Sequence, residues 1–304
     1  MKREERDGKR RLCRSMLYIP GDSPGMIQNA EVFGADSILL DLEDSIAESA
    51  KDSARKMVRS FLSGFDFGGL FVTVRVNSPD TAYFERDLRE IVPCRPDAIR
   101  VPKCGTPADI MAAKALIAKI EQDSGIPEGS VKIHAMIETA IGVENAYLIA
   151  SASERVSALT IGGQDLTADM FARKTREGWE LFYARSRIVM AARAAGIMAF
   201  DTVWADINDS EGLFSETKQI VELGFDGKAA IHPSQIEVIH KAFRPDAREA
   251  ARARRIVEAA ERALREGKGV ISVDGRMVDA PVVARAERLV EIASLYEYEE
   301  DNTL

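Results

Sequence analysis

Short runs rich in β-branched and aliphatic residues recur along the chain at Ser15–Pro20, Ser37–Leu42, Leu70–Val76, Ala98–Pro102, Val131–Ile137, Val156–Ile161, Ile197–Val203 and Lys228–Ile231. Amphipathic stretches separate them, among them Ala47–Leu62, Pro107–Gln122, Glu177–Ala195 and Ser215–Leu223. Runs of the first kind predict strands and those of the second predict helices. Alternation alone would also suit a doubly wound sheet. Eight even units with no Ser/Gly-rich linker between them point instead to a closed (β/α)₈ TIM barrel.

After the eighth strand the pattern changes. Arg248–Gly267 is charged, with Arg and Glu spaced for solvent-facing pairs on a helix. Gly269–Pro281 follows, alternating in character around Asp274–Gly275, which predicts a hairpin. Val282–Tyr298 reads as a last helix. The expected organisation is a disordered basic arm over 1–13, a catalytic barrel over 14–243 and a helix–hairpin–helix extension over 244–304. No internal repeat or low-complexity segment stands out.

Composition narrows the function. The 304 residues carry 41 basic and 49 acidic side chains, a formal net charge of −8. An acidic chain without a long basic stretch argues against nucleic acid as partner. The basic start, Met1 to Arg14, is interrupted by Glu4, Glu5 and Asp7 and precedes no long apolar run, so it reads as a solvated arm and not a signal peptide. No apolar stretch reaches the roughly 20 residues that span a bilayer. Three cysteines without paired spacing suit a reducing cytoplasm. Three histidines, none paired with cysteine at zinc spacing, make a zinc site improbable.

In such a barrel the active site gathers at the C-terminal ends of the strands. Those ends carry Asp41, Glu43 and Asp44 (DLEDS), Arg75 and Asn77 (RVN), Lys103 (VPK), Glu138 (IET), Asp165 (GGQDL), Asp201 (AFDTV) and His232 (IHPSQ). Glu138 and Asp165, on adjacent strand ends, suit a hard cation such as Mg²⁺; the alternative is that each caps a helix or pairs with a lysine. Gly162–Gly163 before Asp165 let a ligand approach the backbone closely, and the amides after Asp165 face a carboxylate at a helix start. Arg75 suits a developing oxyanion, or an ion pair with Glu43 or Asp41 that orders the mouth. Lys103 reads as a structural cation more readily than as a Schiff-base lysine. His134 shares a strand face with Glu138 but lies deeper, as a hydrogen-bonded core histidine. His232 is better placed for ligand contact. Asp279 alone reads as a helix-start signal.

Taken in order, RSMLYIPG, DLEDS, RVN, VPK, IET, GGQDL, AFDTV, GFDGKAAIHPSQI and GRMVDAPV resemble the citrate lyase beta subunits, and more broadly the citrate lyase/malyl-CoA lyase branch of the HpcH/HpaI aldolase superfamily. The resemblance runs from about Arg14 to the final helix. It implies that Glu138 and Asp165 bind Mg²⁺, and that Arg75 contacts the thioester carbonyl and steadies an enolate. It implies that Glu43 and Asp44 hold metal-bound waters or position Arg75. Pro20–Gly21 and the stretch with Ile231, His232 and Pro233 would receive the pantetheine or nucleotide part. Asp279 would reach into a neighbouring subunit's active site, which implies a homo-oligomer, a trimer or hexamer.

The activity so implied is Mg²⁺-dependent cleavage of citryl-CoA or citryl-acyl-carrier-protein to an acetyl thioester and oxaloacetate. Citrate lyase beta subunits commonly read GAEDY and Asn–Pro where this chain has Gly162–Leu166 and His232–Pro233. Those differences leave free CoA and a carrier protein, and membership of a citrate lyase complex, as open alternatives. The rivals are a stand-alone malyl-CoA or citramalyl-CoA lyase, a related thioesterase or malate-synthase-like activity, and a catalytically silent scaffold. Arg75, Glu138, Asp165 and Asp279 occurring together argue against silence.

Overall fold

The computed structural model describes residues 12–266 and 271–301. The basic arm expected at the start lies, over residues 1–11, outside them. Two compact units emerge, one spanning Cys13–Ala242 and another that includes, of the described residues, 243–266 and 271–301.

The first unit is a closed barrel of eight parallel strands in sequential order. They are β1 (Ser15–Pro20), β2 (Ser37–Asp41), β3 (Phe71–Arg75), β4 (Ala98–Val101), β5 (Lys132–Ile137), β6 (Val156–Ile161), β7 (Met198–Asp201) and β8 (Gly227–Ala230). Pairing of Ser15 with Lys228 and Leu17 with Ala230 closes the ring. The strands are buried on both faces, β2, β4 and β8 at every position, because helices cover the outside of a parallel sheet.

Strand parity divides the side chains. Met16, Leu39, Ala158 and Phe200 pack together inside, with Tyr18 against them. Neighbours in sequence therefore face the helices. Cys13 joins this interior cluster at 6% exposure; it belongs to the barrel and not to the arm, since its side chain fills the floor beneath Met16. Gly227 is needed nearby, where a Cβ would overlap the Cys13 carbonyl oxygen and sit 2.9 Å from the Phe200 ring.

Local signals set the helix limits. Thr106 and Asp109 form a capping box with Pro107 in the first turn, starting Pro107–Asp123. Asp209 accepts the Gly212 amide and starts a helix at Ser210, ahead of the expected Ser215. Left-handed glycines, Gly196 and Gly224, end the helices Phe182–Ala195 and Ser210–Leu223. Cys94 and Cys104 are free thiols. Among the described residues no helix is long and apolar enough to cross a membrane.

The second unit contains the helix Ala247–Arg265, the antiparallel pair β9 (Ile271–Val273) and β10 (Arg276–Val278), and the helix Ala280–Asp301. Asp274 and Gly275, at φ of 51° and 75°, make the tight turn between the strands. Ala253, Ile256, Val278 and Ala286 form its small core.

Candidate active site

The C-terminal strand ends of the barrel bring the sequence candidates together. Asp41 ends β2 and is the anchor. It accepts the Glu43 amide at 3.0 Å and the Ser45 hydroxyl at 2.6 Å, folding the DLEDS turn. Arg75 ends the neighbouring strand, in register with Asp41. Its Nε and Nη2 each donate to Asp41 at 2.7 Å, in a two-pronged fork. Nη1 lies 3.0 Å from Asp44 and 2.9 Å from Glu43. The ion-pair reading of Arg75 therefore holds: it is fixed by acids on β2 and its turn, with Nη1 directed toward the exposed Asp44. Burial pushes Asp41 up, but the Arg75 charge and hydrogen bonds outweigh it and hold the carboxyl below its usual range.

Glu43 is different. Its Oε2 is buried and, despite the nearby Nη1, takes no hydrogen bond. Burial, opposed by Arg75 and reinforced by Asp44 and Glu138, pushes its carboxyl up to about 8.

Glu138 follows β5. Oε1 accepts the Lys103 amide at 2.7 Å, while Oε2 is buried with no hydrogen-bond partner. Burial first, and then the charge of Asp165, push it up to about 7, against the Lys103 amide and Arg75. Asp165 stands exposed in the first turn of the short helix Gly163–Asp169. Gly162 makes room between them: a Cβ there would lie 2.5 Å from Glu138 Oε2 and 2.7 Å from Glu138 Cβ. An orphaned buried oxygen, a repelling carboxylate and a cradle that any side chain would fill suit a hard divalent cation. Among the described residues no three His, Cys, Asp or Glu side chains converge as a metal cluster. Water and ligand oxygens would complete a two-carboxylate site, as Mg²⁺ prefers.

The remaining candidates are distributed as follows. Pro20–Gly21 and Ile231–Pro233 are rim neighbours because β1 and β8 are the closing pair. The Gly21 amide donates to the Asp41 carbonyl at 2.8 Å, so this turn is tied to the Arg75 anchor. The Ile231 amide donates to Gln235 Oε1 at 2.9 Å, and His232 Nδ1 lies 2.8 Å from Ser234 Oγ. His232 is exposed. Asp279 is in the second unit, exposed, with its Oδ1 accepting the Val282 amide at the start of Ala280–Asp301.

Three expectations need correction. Neither ring nitrogen of the buried His134 has a hydrogen-bond partner. The ring lies between Phe71 and Phe200, with centroids at 5.6 and 5.8 Å, and burial with the Arg100 charge drives it well below the usual range, so it is neutral. The amides near Asp165 are not all open to a ligand: Gly163 donates to Thr202 Oγ1 at 3.0 Å and Leu166 to the Gly162 carbonyl. Lys103 acts through its amide, with a backbone φ of 54° that turns its side chain out to solvent.

Sequence reasoning missed Tyr18 and Arg100. The Arg100 side chain is buried in the barrel and donates to the Tyr18 hydroxyl at 2.8 Å. The Arg75 and Arg100 guanidinium carbons lie 5.4 and 5.7 Å from the Tyr18 ring centroid. Strand parity was the available signal, since Arg100 aligns with Arg75 across β3 and β4.

Comparison with known proteins gives the family. The chain matches the family described as HpcH/HpaI aldolase/citrate lyase over residues 14–233. It is 44% identical over 284 residues to the citrate lyase subunit beta of Leuconostoc mesenteroides subsp. cremoris, covering 93% of this chain and 94% of that one. It is 36% identical over 266 residues to the (3S)-malyl-CoA thioesterase of Cereibacter sphaeroides, covering 88% and 89%. Among solved structures, the protein CitE from Mycobacterium tuberculosis in complex with magnesium, acetoacetate and coenzyme A superimposes with a TM-score of 0.77. That pair is 32% identical, with coverage of 93% of this chain and 98% of that one. Barrel, rim carboxylates and anchored arginine are thus those of a chain that belongs to the HpcH/HpaI aldolase/citrate lyase family.

Proposed function

We propose that the chain is a Mg²⁺-dependent carbon–carbon lyase that cleaves a 3-hydroxyacyl thioester into an oxo acid and an acetyl thioester, as a citrate lyase beta subunit would. The observation that carries this reading is the unpartnered, buried Glu138 Oε2 beside Asp165 and Gly162. The likeness to the Leuconostoc beta subunit and to the magnesium- and coenzyme-A-bound CitE supports it.

Glu138 and Asp165 would hold the cation, which supplies Lewis acidity to the hydroxyl and carboxylate oxygens of the substrate. As the hydroxyl proton passes to solvent water, its oxygen forms the carbonyl of the oxo acid, the carbon–carbon bond breaks and that bond's electron pair moves onto the thioester as an enolate. Arg75 stabilises the resulting enolate oxygen with a donor already fixed by Asp41, Glu43 and Asp44, so little reorganisation is required. Glu43 and Asp44 act by positioning that arginine. The rim formed by Pro20, Gly21, Ile231, His232 and Pro233 receives the pantetheine or nucleotide portion.

Asp279 of a neighbouring copy then protonates the enolate carbon. An oligomer, trimer or hexamer, follows from that assignment. Exposed apolar side chains on the barrel's flank support it, including Leu148, Phe171, Trp179, Phe182 and Tyr183, since apolar surface in quantity marks association. The carrier is CoA or an acyl carrier protein, the latter within a citrate lyase complex, and the setting is cytoplasmic. The malyl-CoA thioesterase relative keeps a second reading open, in which water removes the thioester.

Asp165→Asn is expected to abolish both Mg²⁺ binding, read by calorimetry, and turnover. Retained activity with retained binding would remove Asp165 from the metal assignment.

A further inference from the structure

We infer that Thr202 is a positioning residue that couples a buried ion quartet outside the barrel wall to the metal-binding turn inside it. The inference rests on the reading of Glu138 and Asp165 as cation ligands. Strand parity sets the arrangement. Phe200 lies in the interior cluster, so Asp201 faces the surrounding helices and Thr202 faces in again, at the strand end.

On the outer side Asp201 is held by two cations. Arg185 Nε and Nη2 donate to its two oxygens at 2.8 and 3.0 Å, and Lys228 Nζ donates at 2.8 Å. Glu216 completes the group, 2.6 Å from Lys228 and 2.8 Å from Arg185. Two cations and two anions balance, and the Lys228 and Asp201 side chains are wholly buried. Burial works against the Asp201 charge, but Arg185 and Lys228 outweigh it and keep the carboxyl below its usual range. The third hydrogen bond of Lys228 goes to the backbone carbonyl of Thr202, at 2.9 Å. The quartet therefore fixes the main chain of residue 202 as well as balancing charge.

On the inner side the Thr202 hydroxyl accepts the Gly163 amide at 3.0 Å. The contact is close: a Cβ on Gly163 would lie 2.9 Å from Thr202 Cγ2 and 3.1 Å from Leu181. Gly163 begins the turn that carries Asp165, and Gly162 before it abuts Glu138 Oε2. Removing the hydroxyl would free the turn to move relative to Glu138, changing the separation of the two carboxylates without touching either. Support of this kind around metal ligands is typically worth about 10–100-fold in affinity. Thr202 acts through a backbone amide two residues from the ligand, so the lower end applies.

The test is Mn²⁺ binding to the full chain, followed by electron paramagnetic resonance, for wild type, Thr202→Val and Thr202→Ser. Thr202→Val, which lacks the hydroxyl, is expected to bind about tenfold more weakly, and Thr202→Ser to bind as wild type does. At saturating cation Thr202→Val should recover kcat, with the deficit confined to the cation concentration required. Equal affinity in Thr202→Val overturns the inference, as does weakening in Thr202→Ser that matches the valine variant. Hydrogen exchange at the wild-type Gly163 amide gives an independent check should Thr202→Val fail to fold. The inference requires that amide to be protected without metal, and rapid exchange would contradict it. No Mn²⁺ binding by wild type would overturn the carboxylate reading and this inference with it, whereas binding unaffected by Thr202→Val would overturn the inference alone.

Discussion

Arg75→Lys is expected to lower kcat by roughly 10²–10³-fold, the usual cost of losing an oxyanion donor, while leaving Mg²⁺ affinity in place. Lysine keeps the charge but not the geometry. Arg75 spans its partners with three nitrogens, two on Asp41 and one toward Asp44 and Glu43. A single ammonium that stays on Asp41 withdraws from the rim, and one that reaches the rim leaves buried Asp41 under-bonded. Asp41 is the residue that would register this structurally, because the Arg75 charge is what overcomes the effect of its burial. Steady-state kinetics and calorimetric Mg²⁺ titration separate the outcomes. Near-normal kcat would remove Arg75 from enolate stabilisation, and lost Mg²⁺ binding would mean that it acts through the carboxylates instead.

The second large effect concerns Glu138→Gln. Glu138 is pushed up to about 7 from an ordinary value of 4.5, by burial and by Asp165. A carboxyl with a raised folded-state pKa binds its proton more tightly folded than unfolded. Its contribution to stability is fully present below about 4.5 and is lost as pH rises through about 7. Metal-free wild type should therefore be less stable than metal-free Glu138→Gln at pH 8, with the difference shrinking toward pH 5. Comparing the two proteins cancels the titration of carboxylates remote from Glu138, while Glu43, raised in part by the Glu138 charge, shifts with the same sign and is relieved in the variant. Adding Mg²⁺ should raise the melting temperature of wild type and not of the variant. Protons compete with the metal for the same oxygens, so wild-type Mg²⁺ affinity should weaken as pH falls below 7. Thermal unfolding at pH 5 and pH 8, with Mg²⁺ or with chelator, reads every part of this. Equal stabilisation of both proteins by Mg²⁺ would take Glu138 out of the site.

Much of this was legible in the chain because strand ends in a parallel barrel place their polar residues at one mouth. β1 and β6 begin and end where the apolar runs do, and Glu138 and Asp165 could be read directly as neighbours. Legibility failed where one residue of strand parity decides the outcome. Asp201 looks like a mouth carboxylate in sequence, yet it faces Arg185 and Lys228 outside the barrel, and its neighbour Thr202 is the residue that reaches the site. Arg100 hid in the same way, overshadowed by Lys103. The deep position of His134 followed from its spacing to Glu138, but its lack of hydrogen bonds depended on Phe71 and Phe200 from distant strands. Pairings between neighbouring strand ends, such as Gly163 after β6 with Thr202 after β7, have no local signature because the contacting residues are far apart in sequence.

The most direct test is acetyl-CoA release from citryl-, malyl- and citramalyl-CoA by metal-stripped protein, measured with and without added Mg²⁺. Release of acetyl-CoA and an oxo acid in equal amounts from one of these, only when Mg²⁺ is present, is the predicted result and names the substrate. Cleavage that proceeds undiminished in the absence of any divalent cation would contradict the account.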